Sequence, residues 1–522
     1  MRKVNVLIVL MLGFLFLTAS CKKDKENTDL SGIETKPDDV IALDSTKIAP
    51  FFTKYTQFKE YEPEIRKLYK KYDYKYIWHD KKGPIEFAGV IYNQVNQLQK
   101  EGVKNDIPYK KEFNELFEDE DRPTVDAELL ISSMYIYYAN KVLGGLDANA
   151  SKQTGWYLPR EKTDYVAYLE TLREDPEKLT QKSSELFSEY YNLRKGLQKY
   201  REIQKKGGWA TITLPEGVKS LKEGDSAAAI GQLRSRLFAE GFLKSDSKST
   251  QFNGDLKDAV TEYEKRHFRT FDGKVGPAII KELNVSVAER IKTITVNMER
   301  CRWITPDIDT QQEYIAVNIP SYRLRYIRDG KPFLISNVVV GKELNKTVVF
   351  SGQMSYLVFS PYWNVPKSIL EKEIKPGIAK NPNYLAKHNM EWNGNMVRQK
   401  PGGQNSLGKV KFMFPNSNNI YLHDTPAKGL FNKDDRAYSH GCVRVEKARE
   451  LALAITKKDG NWSEAKVDEA MNAGKESNYA LKTKIPVYLT YFTAWADENG
   501  NVAFFDDIYE RDNKLANLLY KS

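Results

Sequence analysis

Only five His and three Cys occur in 522 residues, yet His423, His440 and Cys442 fall close together. They lie in Ile420-Tyr421-Leu422-His423-Asp424-Thr425-Pro426 and, after a Gly-containing loop, Arg436-Ala437-Tyr438-Ser439-His440-Gly441-Cys442-Val443-Arg444-Val445. A cysteine nucleophile acts as its thiolate, so it needs an imidazole or a positive neighbour, and a helix N-terminus lowers its pKa further. On this reading Cys442 attacks, and His423, ending a strand upstream, is the base that holds the sulfur as an anion. An amphipathic helix is expected from Val445 to Ile455, directing its first amides at the sulfur. Gly441 permits close backbone approach, and the N–H groups of Gly441 and Cys442 are candidates for an oxyanion hole. Arg444 is placed to pair with a substrate carboxylate. Asp424 points to the face opposite His423 on a strand, so a backbone carbonyl is expected to orient the imidazole. Three other readings compete: a zinc site on His423, His440 and Cys442 that lacks a fourth ligand, a buried core thiol, and a structural His440.

Elements of two kinds must position these groups. From residue 48 to 205, Lys, Glu, Leu and Tyr dominate with apolar residues three or four apart, as in Ile91, Val95 and Leu98, which predicts a helical scaffold domain. Gly207-Gly208 ends that pattern. A small compact unit is expected at 217–285, with Gly224-Asp225-Ser226 capping a short helix through Ile230, Leu233 and Leu237 and a second helix carrying Leu256, Ala259, Val260 and Tyr263. Phe271-Asp272-Gly273-Lys274-Val275-Gly276-Pro277 then forms a turn with Pro at a helix start. Beyond Asn284 strands take over: Tyr314 to Ile319, Ser321 to Arg328, the Asp329-Gly330 hairpin, Phe333 to Gly341, Tyr356 to Ser360, Ile420 to His423, and Val487 to Thr493 with Val502 to Phe505. A Lys-, Glu- and Pro-rich stretch, 367–400, interrupts them as an insertion that can cover a cleft. The fold class is multidomain α+β.

Composition fits an exported protein. A net charge of +10 spread along the chain suits an anionic surface, and no aromatic-plus-basic stretch has the form of a nucleic-acid module. Three Cys without a CxxC pair give neither a disulfide framework nor a structural zinc site. Arg2 and Lys3 precede an apolar run from Val6 to Leu17, then Thr18, Ala19, Ser20 and Cys21. This reads as a signal peptide over 1–20; the small residues before Cys21 resemble a bacterial lipobox, which implies a lipidated Cys21 followed by a tether over 21–47, the alternative being an ordinary signal peptide cut nearby with Cys21 incidental. The implied location is the cell envelope, lipid-anchored and facing the periplasm.

Ser439-His440-Gly441-Cys442-Val443-Arg444 with His423 upstream resembles the catalytic motif of the L,D-transpeptidase family, of the YkuD type. Val340-Gly341-Lys342, Tyr362-Trp363-Asn364-Val365-Pro366 and Asn405-Ser406-Leu407-Gly408 resemble its large periplasmic branch, and the 217–285 unit resembles a peptidoglycan-binding domain. The resemblance implies a β-rich catalytic domain over 312–510 with a capping insertion at 367–400. It also implies a reaction without cofactor or metal. Cys442 attacks the third residue of a peptidoglycan tetrapeptide stem, D-Ala leaves, and the side-chain amine of a diamino acid in a neighbouring stem resolves the thioester as a 3→3 cross-link. Carbapenems are expected to acylate Cys442. His440 and Gly441 join the catalytic set, and Arg444, Tyr438, Trp363 and Ser439 the substrate-binding set. Cys301, where this branch has Trp, is expected to be a buried thiol. Partners are stem peptides and, through the lipid, a membrane; the chain reads as a monomer. The alternatives are an L,D-carboxypeptidase and an inactive wall-binding lipoprotein.

Overall fold

The computed structural model describes residues 30–104, 106–118, 123–158, 162–269 and 272–521; the signal-peptide segment and Cys21 lie outside the described residues. The later part of the expected tether is not a free linker. Leu30 and Leu43 are buried in the core of the helical region, Leu43 N donates to Tyr74 O at 2.7 Å, and Tyr76 N donates to Ile41 O at 2.9 Å. Apolar residues spaced through a polar stretch are enough to dock it.

The helical region is built around Val125–Ala139, which is buried on all sides after its first two residues. Thr124 caps it by accepting from Ala127 N at 3.1 Å. Glu128 is inside this core, and its carboxylate accepts from Tyr69 OH at 2.8 Å, Ile77 N at 2.6 Å and His79 Nδ1 at 2.8 Å, so the buried acid is satisfied. The smaller unit has helices Ala228–Ala239, Gly254–Arg266 and Pro277–Leu283 beside a two-stranded ribbon, around a separate core that includes Leu233, Leu256 and Val275. Asp225 does not cap the first helix: its carboxylate accepts from Lys222 N at 2.9 Å and closes the preceding turn. The helix Val287–Cys301 then leads into the β-rich part. Cys301 is fully buried there, and burial raises its thiol well above the ordinary range.

Nine strands form one sheet: β1 Glu313–Asn318, β2 Arg323–Arg328, β3 Lys331–Gly341, β4 Phe350–Phe359, β5 Val410–Met413, β6 Leu422–His423, β7 Ala437–Ser439, β8 Val443–Val445 and β9 Ser477–Thr490. Pairing of β2 with β3 closes eight of them into a barrel in the order β2-β3-β8-β6-β5-β4-β9-β1, with β7 parallel to the end of β3. β6 and β8 run parallel, Leu422 opposite Val443 and His423 opposite Arg444. Leu422, Val443 and Val445 are fully buried in the barrel, so alternation turns His423 and Arg444 outward. Between β4 and β5, an inserted subdomain carries short helices within 367–387 and the hairpin Met390–Asn393 with Met396–Gln399. It has its own small core of Val365, Ile369, Leu370, Ile374, Met390 and Val397.

Candidate active site

Two rows of side chains cross the outer face of the barrel where β5, β6 and β8 meet. Register aligns Lys411, His423 and Arg444 in one row. One step along, Tyr421 continues the register beside Cys442, fixed by Val443 N donating to Tyr421 O at 3.2 Å. His423 and Cys442 therefore share a face on neighbouring strands.

The helix expected at Val445 begins only at Ala448, and Cys442 instead leads into β8. Val443 and Val445 have a period of two that fills the barrel, and this overrides the helical spacing downstream. The segment directly after the sulfur is thus a strand rather than a helix N-terminus. Burial raises the Cys442 thiol, opposed by hydrogen bonds from Tyr421 and the charge of Arg444. Among the described residues the hydrogen-bond acceptor for Sγ is Asn419 O at 3.7 Å, not the imidazole. Asn416 shapes the turn that presents this carbonyl, donating through Nδ2 to Phe414 O at 2.6 Å and Ile420 O at 2.8 Å.

His423 is buried, and burial, with Arg444 and Lys411 adding repulsion, lowers its pKa to about 3. Nδ1 lies 2.5 Å from Asp424 O. A carbonyl only accepts, so Nδ1 carries the proton and Nε2 keeps its lone pair. Asp424 is held in turn: its carboxylate accepts from Lys409 N at 2.9 Å and Lys428 Nζ at 2.7 Å. Gly408, at φ +61°, makes room for it, since a Cβ there would fall 2.3 Å from Asp424 Oδ2.

The remaining candidates separate. Ser439 is buried; its Oγ donates to Cys442 O at 2.5 Å and accepts from Gly441 N at 3.1 Å, so it braces the turn and cannot reach a substrate as expected. The same bond occupies the Gly441 amide expected in an oxyanion hole. Gly441 has φ +117°, and its carbonyl accepts from Thr347 Oγ1 at 2.9 Å. His440 stands at the rim, its Nε2 3.0 Å from Glu373 of the inserted subdomain. His423, His440 and Cys442 thus face three different partners. Arg444 keeps a buried Nε without a hydrogen-bond partner, and burial lowers its pKa. Tyr438 is exposed under Lys433 Nζ at 4.8 Å, whereas Trp363 packs on the core of the inserted subdomain. Lys411, Tyr421, Thr347 and Asn419 were not singled out from sequence; for Lys411 and Tyr421 the period-two pattern was the available signal.

Residues 312–468 match the L,D-transpeptidase catalytic domain family, YkuD, and residues 63–197 match a Scaffold domain. The barrel is an L,D-transpeptidase catalytic domain. A Haemophilus influenzae protein named "Putative L,D-transpeptidase" is 36% identical over 255 residues, 45% of this chain and 50% of that one, so the chain spans about half the length of the curated relative it matches. Among solved structures, an L,D-transpeptidase from Mycobacterium smegmatis is 10% identical, covering 34% of this chain and 58% of its own at a TM-score of 0.21. One from Stackebrandtia nassauensis is 14% identical, covering 53% and 95% at a TM-score of 0.20. Among the described residues no helix is long and apolar enough to cross a membrane.

Proposed function

We propose that the chain is a cysteine L,D-transpeptidase that forms 3→3 cross-links in peptidoglycan. The observation that carries this reading is the shared outer face of Cys442 and His423, with Nδ1 committed to Asp424 O and Nε2 left as base. The thiol turns from Asn419 O toward Nε2, gives up its proton as Sγ bonds to the carbonyl carbon of the third stem residue, and the imidazolium passes that proton to the leaving D-Ala amine. In the second half, the amine of a neighbouring stem attacks the thioester, His423 takes its proton, and Sγ leaves and is reprotonated. The oxyanion is assigned to the amides of Gly441 and Cys442, the first of which must release Ser439 Oγ. Arg444, with its spare buried donor, takes a substrate carboxylate.

Around this centre, the insertion at 367–400 acts as a cap resting on His440, the 217–285 module contacts the wall, and a lipid on Cys21 holds the enzyme in the periplasm-facing envelope. Incubation of the purified soluble chain with disaccharide-tetrapeptide, read by mass spectrometry, tests the reaction. A cross-linked dimer lacking one D-Ala is expected; tripeptide alone makes the protein an L,D-carboxypeptidase. Undiminished turnover in Cys442→Ala would reject both. His423→Ala should lower turnover by about 10²–10⁴-fold.

A further inference from the structure

Lys411 has no part in the motif around Cys442, yet register sets it beside His423 on β5, with Arg444 on the other side of His423 on β8. Its neighbours along the strand, Val410 and Phe412, are fully buried in the barrel, so alternation sends Lys411 to the outer face that carries the site. The ammonium stands 5.9 Å from the centre of the Tyr421 ring, and that ring lies 5.7 Å from the His423 ring. Its charge is felt at the imidazole, where it adds to the repulsion from Arg444. Lys411 therefore faces the reacting groups.

Both cations lack a counterion. Among the described residues no carboxylate comes within ion-pair distance of Lys411 or Arg444, and neither side chain takes part in a hydrogen bond. Arg444 Nε is sealed off, but its two Nη groups and Lys411 Nζ are accessible. Both side chains are half-buried, and burial lowers the pKa of each. A partly desolvated charge without a partner is costly, so two of them flanking one reaction centre point to a ligand with two carboxylates. Glu476, the acid whose charge reaches Lys411, is exposed and beyond pairing distance, and its Oε2 accepts from Tyr362 N at 2.7 Å.

We infer that Lys411 is a specificity-determining residue that binds a carboxylate on the side chain of the third residue of the donor stem. The inference rests on the transpeptidase reading above. With the scissile carbonyl at Cys442, Arg444, on the same strand, takes the terminal carboxylate of the departing D-Ala. Lys411 stands two strands from Cys442, about 10 Å across the sheet, a span that its own side chain and the extended side chain of the third stem residue bridge together. The preferred stem thus carries a diamino diacid at that position, whose second amine can turn to Glu476. A side chain ending in an ammonium alone would leave Lys411 unpaired and set a like charge beside it.

The test measures kcat/KM for release of D-Ala by the full soluble chain from three disaccharide-tetrapeptides, with the adduct at Cys442 identified by intact mass. One donor has diaminopimelate with a free side-chain carboxylate at the third position, one has that carboxylate amidated, and one has lysine. The free carboxylate should raise kcat/KM about tenfold or more over either other donor. Lys411→Met, which keeps the apolar stem of the side chain, should bring the ratio of free to amidated donor close to one, and Lys411→Arg should keep it. Taking the ratio within each variant cancels any loss of folded protein. Release from the amidated or lysine donor as fast as from the free carboxylate, or an unchanged ratio in Lys411→Met, would overturn the inference and leave the transpeptidase reading in place. No release from any donor would overturn that reading, and the inference with it.

Discussion

Burial acts against the charged form of both reacting side chains, raising the Cys442 thiol and lowering His423 to about 3. At neutral pH the resting pair is a thiol beside a neutral imidazole, not the preformed thiolate expected from residue types alone. Sequence could bring the two residues to one window, but it could not show that Arg444 and Lys411 flank the ring and disfavour its cation. A consequence follows for the pH profile. If His423 takes the proton during attack, it is competent wherever it is neutral, so carbapenem acylation should stay nearly flat from about pH 5 to 8. A rise of tenfold per unit would mean that free thiolate reacts without the imidazole, and a midpoint near 6.5, the ordinary histidine value, would mean that the ring is not buried as described. Stopped-flow acylation rates across this range decide among them.

Short elements carry the site, and their shortness explains what could be read from sequence. β6 is only Leu422–His423, and its place depends on Leu422 filling the barrel. Leu422→Ala should cost about 2–5 kcal/mol in chemical denaturation. The long alternating strands β1 to β3 were legible because one face is buried and the other is not. β5 and β8 were missed: Val410–Met413 is four residues, and Val443–Val445 precedes a helix whose apolar spacing dominates any longer window. In the sequence, Asn405-Ser406-Leu407-Gly408 before β5 carries only a family likeness. Its physical role is that Gly408 admits Asp424, which then holds His423. Gly408→Ala should therefore displace the base. A fall in kcat of roughly 100-fold is expected, with a loss of stability of about 1 kcal/mol or more from the left-handed φ; an unchanged kcat in the folded variant would mean that Gly408 does not position the base.

At the scale of the molecule, the helix Glu189–Lys205 joins the helical region to the hairpin Ala494–Ala496 with Val502–Phe504, a separate two-stranded sheet that follows the barrel. Lys195 Nζ donates to Glu498 O at 2.9 Å, and Gly196 lets the helix approach Val502, whose Cγ2 would lie 2.6 Å from an added Cβ. At the start of this helix Glu189 is buried and accepts from Ala496 N at 2.5 Å; burial raises its pKa well above the usual carboxylate range. His267 and His423 are shifted the other way, down to about 4 and about 3 by burial. The unfolded histidines bind protons near pH 6.5, so their contribution to stability is fully present above that pH and is lost as pH falls toward 4. Glu189 has the opposite sign. Its folded form holds a proton that the unfolded chain releases near pH 4.3, so stability declines as pH rises from there toward its folded pKa. Glu189→Gln removes that decline while keeping an acceptor for Ala496 N. Its Tm relative to the parent should therefore be higher at pH 8 than at pH 4. An equal shift at both pH values would mean that Glu189 stays ionised where the scaffold meets the hairpin Ala494–Ala496.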